Sequence, residues 1–170
     1  MLLVSFIMLR REAKESAEAD PWQDHNIAML EAGAEPLPES VPDSLKGGQI
    51  LDFGFLPDRD NAGQRVWLLR FKDSYPNVRL VQDVESGEVE IMAADQIKVF
   101  LGDGQDVTGL KPMLDELELR LRMFNRKEKL AVVGVLHTGI GAVPETLAAI
   151  KKWPELFLSA EPDWIVFKGE

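Results

Sequence analysis

The residues able to do chemistry in this chain of 170 residues are few: two histidines, one run of cations and one glycine loop. His25 and His137 stand far apart in sequence, and a histidine metal site needs several converging donors. The chain has no cysteine, so thiolate nucleophiles, disulfides and cysteine-ligated zinc or iron–sulfur centres are excluded. Asp24-His25 reads as a solvent-facing pair on a helix. His137 precedes Thr138 and Gly139. It can cap an element end, where an imidazolium meets the negative end of a helix dipole, or move a proton near neutral pH. Paired carboxylates such as Asp115-Glu116 and Glu88-x-Glu90 are common, but nothing in the sequence brings two of them to catalytic separation. No Ser-x-x-Lys, Gly-x-Ser-x-Gly or Walker pattern occurs.

The cationic run is Arg120, Arg122, Arg126, Lys127 and Lys129, interrupted by Glu128. With Lys151 and Lys152 it forms the candidate partner-binding set; the run would contact an acidic partner, RNA or the acidic N-terminal region of this same chain. Its structural alternative is the solvated face and C-terminal cap of a helix, where cations meet the negative end of the dipole. Phe124 is the only aromatic residue among these cations, so stacking on single-stranded nucleic acid is not supported. The net charge is −10, and it is uneven. Residues 1–45 hold 3 basic and 9 acidic groups, residues 46–108 hold 7 and 11, and residues 109–170 hold 9 and 9. The first two-thirds should repel nucleic acid and anionic membrane, while the last third is neutral.

Asp58-x-Asp60-x-x-Gly63 resembles the start of a calcium loop. Ala62 and Leu69 stand where two further ligands would be needed, so a turn closed by Asp side chains is the expectation. No cofactor or metal is expected.

The elements that must position these groups follow from pattern. Met1–Leu9 is apolar but far shorter than the roughly 20 residues of a spanning helix, so no membrane span is expected. Residues 10–19 are strong helix formers. Asp20-Pro21 starts a second helix with an apolar stripe of Trp22, Ile27, Met29 and Leu30, stopped by Gly33. Residues 34–48 hold three prolines and two adjacent glycines and read as a linker or extended arm. Short strands are expected over Gln49–Leu56, Arg65–Phe71, Val78–Val84, Val89–Met92 and Ile97–Leu101, with turns at 58–63, 74–77 and 85–88. Gly102–Gly109 is a hinge. Residues 110–124 should form a helix with Leu114, Leu117, Leu121 and Phe124 on one stripe. Residues 128–138 allow either strand or short helix. Pro144–Trp153 is helical, and Leu156–Leu158 and Trp164–Phe167 are short strands around a hairpin tip. Trp67, Trp153 and Trp164 read as core. Phe55 and Tyr75 flank the loops of the expected β module, where exposed aromatics would line a peptide groove.

The five strands of residues 49–101 resemble an SH3-like barrel in count and spacing. Residues 110–167, ending in Leu147–Phe167 (LAAIKKWPELFLSAEPDWIVF), resemble a winged-helix domain. That resemblance implies a recognition helix over Pro144–Lys152 and a wing carrying Glu161 and Asp163. DNA-binding members usually have a basic recognition helix, whereas this wing is acidic, so a protein-contact role fits better. A β-α-β unit is the alternative, with Leu130–Leu136 as its first strand. In that arrangement the loop Gly139-Ile140-Gly141-Ala142-Val143-Pro144 is similar to a glycine-rich segment of acetyl-CoA hydrolases and CoA transferases, though that family's catalytic glutamate finds no place here.

The expected fold is α+β: a small antiparallel barrel or bent sheet over about residues 49–101, then a winged-helix-like α/β-hairpin unit, with an N-terminal helical arm. The expected division is 1–45, 46–108 and 109–170. The expected role is a cytoplasmic, non-catalytic protein-binding or regulatory adaptor. A nucleic-acid-binding accessory factor and a small enzyme built around His137 and the Gly139–Pro144 loop are the alternatives.

Overall fold

The computed structural model describes residues 21–72 and 76–166. The apolar run Met1–Leu9, the expected 10–19 helix and Tyr75 lie outside the described residues.

Helix α1 (Gln23–Glu31) ends where Gly33 takes φ +111°, a left-handed conformation open to glycine because it lacks Cβ. Its expected apolar stripe is not buried. Ile27 and Leu30 are 46% and 40% exposed, and Met29 is the stripe residue that packs against the core. Residues 34–48 are not a free linker either. Val41 is buried, as is Leu45 on the short helix α2 (Asp43–Lys46), and Trp67 Nε1 donates to the Glu35 carbonyl over 2.7 Å.

The described strands form one antiparallel sheet of seven that does not close into a barrel. They are β1 (Gln49–Leu56), β2 (Gln64–Arg70), β3 (Val78–Asp83), β4 (Val89–Phe100), β5 (Leu121–Asn125), β6 (Leu130–Gly134) and β7 (Ser159–Trp164). The two strands expected at 89–92 and 97–101 are one, β4. Its first half pairs with β3 and its second half with β6, so these two lie end to end along one edge. β7 pairs along the other edge. The same sheet therefore runs through both the expected middle and C-terminal modules.

Strand alternation sends neighbouring residues to opposite faces. Val66, Val81 and Met92 join one apolar cluster, while Trp67, Leu80 and Ile91 join the other. The N-terminal arm covers the second face through Met29, Leu37, Val41 and Leu45. The first face receives the 3-10 turn Val107–Leu110 and helices α3 (Lys111–Glu116) and α4 (Ala142–Ile150). Leu69 and Leu80, each at 0% exposure, contribute about 1.5–3 kcal/mol apiece from burial.

The C-terminal third departs most from expectation. The helix expected over 110–124 stops at Glu116, Glu118 turns at φ 54°, and Leu121–Asn125 is a strand. Leu130–Gly134 is also a strand, with every residue buried. The expected hairpin tip, 159–163, lies inside β7. These elements do not confirm a winged-helix arrangement, because two stretches that it needs as helix and tip are strands of the sheet.

Candidate functional site

β5 and β6 form a hairpin whose tip, residues 126–129, carries three of the five clustered cations. Arg120 and Arg122 sit at its other end. The expected cluster is thus divided along a strand of five residues, roughly 16 Å at 3.3 Å per residue. The tip is partly neutralised from within the chain. Lys129 Nζ lies 2.6 Å from Asp103 Oδ1, and Arg126 helps hold the Asp106 carboxyl below its ordinary range, after the larger effect of the Thr108 hydroxyl and N–H. The Gly102–Gly109 segment is therefore the tip's acidic counterpart. Lys151 and Lys152 stand exposed after α4, and the structure brings neither into a hydrogen bond or ion pair with the hairpin.

A groove of about 640 Å³ spans β4, β6 and β5, lined by Gln96, Arg120, Leu121, Arg122, Met123 and Val132. Leu121 and Met123 are 41% and 52% exposed. The register slips between them, so Arg122 occupies a bulge. From that bulge Arg122 Nη1 donates to Gln96 Oε1 (3.3 Å) and lies 3.6 Å from Asp95 Oδ1. Gln96 Nε2 in turn donates to Asp163 Oδ2 over 2.7 Å, and Lys98 Nζ lies 3.4 Å from Asp163 Oδ1. Burial pushes the Asp95 carboxyl up, and the Asp163 charge pushes it the same way. Asp95, Gln96 and Asp163 were not legible as site residues. Gln96 and Asp163 are 67 positions apart and meet only because β7 pairs with β4.

His137 lies outside this groove. Its Nε2 donates to Glu145 Oε2 over 2.5 Å, and this bond raises the imidazole pKa. Both side chains are about half exposed. The glycines of the loop leave room for this pair: a Cβ on Gly141 would fall 2.6 Å from Glu145 Oε1, and one on Gly139 would fall 3.1 Å from His137 Nδ1. His25 is not simply solvent-facing, since its Nε2 donates to the Ile50 carbonyl over 2.8 Å. Among the described residues no three His, Asp or Glu are placed to hold a metal ion. Asp58 Oδ1 accepts from the N–H groups of Asp60 and Asn61, both at 2.9 Å, which makes 58–61 a side-chain-closed turn.

Phe55 lines a second hollow, of about 360 Å³, between the end of α1 and β1. There the Arg59 guanidinium lies 5.7 Å from its ring centroid. Trp67 is core at 1% exposure, Trp153 packs partly against the core, and Trp164 is 39% exposed. No described helix is long and apolar enough to cross a membrane. No protein-family model matches the chain, and no curated protein or solved structure matches it either.

Proposed function

We propose that this protein is a non-catalytic, protein-binding adaptor that receives an extended segment of its partner beside β5. The observation that carries this reading is the pairing of β5 with β6 alone among the described residues, with Leu121 and Met123 exposed along the adjoining groove. An edge strand offers a row of main-chain donors and acceptors, and a neighbouring groove supplies pockets for alternate side chains. Use of residues 109–170 as a protein-contact unit belongs to the same reading. A nucleic-acid role has less support, because Lys129 and Arg126 already face Asp103 and Asp106. The cysteine-free composition fits the reducing cytoplasm.

The test is selection of displayed random nonapeptides on the full chain and on the double variant Leu121→Lys, Met123→Lys. Peptides should be enriched on the first and lost on the second, with the melting temperature unchanged. No enrichment on the unaltered chain overturns the reading.

A further inference from the structure

Three strands of the described sheet have a neighbour on one side only: β1, β5 and β7. The start of β1 is closed. Asn26 on α1 accepts from the Ile50 N–H and donates to the Gly48 carbonyl, both at 2.9 Å, while His25 takes the Ile50 carbonyl. β7 is interrupted by Pro162, which has no N–H to donate, and carries the carboxylates of Glu161 and Asp163. β5 has neither device. Its edge is guarded by charge and by the bulge at Arg122.

Those charges select the occupant. A second copy of the chain, paired antiparallel across a two-fold axis, would set Arg120 against Arg126 or Lys127 of the other copy, and like charges facing each other across strands oppose pairing. Arg120 and Lys127 are exposed beyond opposite ends of β5, and neither has an ion-pair partner among the described residues. The flanking carboxylates Glu118 and Glu128 do not reverse the surplus of cations over residues 120–129. A single-stranded nucleic acid would find one aromatic in this stretch, Phe124, and that side chain packs against the core.

Resting on the proposed binding role, we infer that β5 adds an acidic, extended segment of a partner protein as the next strand. Apolar residues of that segment lie over Leu121 and Met123. Its carboxylates stand about six residues apart, the seven positions from Arg120 to Lys127 less the one taken up by the bulge, so that they meet those two cations.

The probes are three nine-residue peptides that share apolar positions and carry Glu, Gln or Lys at the polar ones. Each is titrated into the isotope-labelled full chain while backbone amides are followed by NMR. The Glu peptide should shift the amides of residues 121–125 and bind about three- to tenfold more tightly than the Gln peptide, as two exposed ion pairs allow. Added salt should close that gap, and Arg120→Glu with Lys127→Glu should make the Lys peptide the tightest of the three. Equal binding of Glu and Gln peptides at β5 overturns the acidic assignment while leaving the binding role intact. No shift with any peptide overturns both. Concentration-dependent shifts of the same amides in the protein alone, or tighter binding of an oligouridylate there, assign another occupant and overturn the inference.

Discussion

The Arg79 guanidinium is 4% exposed and donates from Nε to the carbonyl of Ile140 over 2.8 Å. A cation at the second position of β3 thereby holds the glycine loop that precedes α4. Its Nη1 also lies 3.4 Å from Met92 Sδ, its partner across the β3–β4 ladder. Burial lowers the Arg79 pKa to about 10, against the raising effect of Glu90, so the side chain is still charged at neutral pH.

Arg79→Ala should therefore cost about 2–4 kcal/mol, from a cavity and an orphaned carbonyl together. Chemical denaturation measures the loss. Hydrogen exchange should show faster opening of residues 136–141 than of β2. A loss under about 0.5 kcal/mol, within the range of an ordinary surface substitution, would refute this account of the loop.

Asn26→Ala removes two of the three hydrogen bonds that close the start of β1, leaving the one from His25. The expected cost is about 1–2 kcal/mol, less than for a fully buried pair because water reaches the site. Light scattering should also rise at high protein concentration, since an uncovered edge templates pairing. An unchanged denaturation midpoint would show that α1 does not contribute to stability through this contact.

The Thr146 hydroxyl is buried, accepts from the Leu136 N–H at 3.0 Å and donates to the Ala142 carbonyl at 2.6 Å. Thr146→Val keeps the shape and leaves the Leu136 donor without that partner. A loss of about 1–3 kcal/mol is expected, read as a lower melting temperature, with Thr146→Ser recovering part of it. Equal melting temperatures for the valine variant and the parent would contradict the role assigned to the hydroxyl.

The hydrogen bond to Glu145 raises the His137 pKa above the ordinary 6.5. The folded chain thus holds this proton more tightly than the unfolded chain. The pair's contribution is present in full below pH 6.5 and is lost as pH rises through the folded pKa. A proton NMR titration of the imidazole should place its midpoint above 6.5, falling toward 6.5 in Glu145→Gln. A midpoint at or below 6.5 in the parent chain would remove the ion pair from the account of this loop.

Local pattern settled the strands of residues 49–83, because each is a short run of strand formers closed by turn chemistry, as at Asp58–Asn61 and Asp83–Gly87. It also located α4, marked by a proline in its first turn, though the helix runs over Ala142–Ile150 and not Pro144–Trp153, and it marked the stop of α1 at Gly33. In residues 117–123 (LELRLRM) two periods compete. Leu114, Leu117, Leu121 and Phe124 fit a helical stripe, while Leu117, Leu119, Leu121 and Met123 alternate as in a strand. Pairing with β6 decided for the strand, since a sheet partner satisfies main-chain groups that a lone helix would have satisfied within itself. The same long-range pairing buried all of β6, merged two expected strands into β4 and drew 159–163 out of a hairpin tip. It also split the cationic cluster to opposite ends of β5 and joined Gln96 to Asp163. Side-chain type and local turn chemistry are properties of neighbours in sequence, and they were legible there. Which strand lies beside which depends on closing loops between distant residues and burying both sheet faces at once, so only the tertiary structure could decide it.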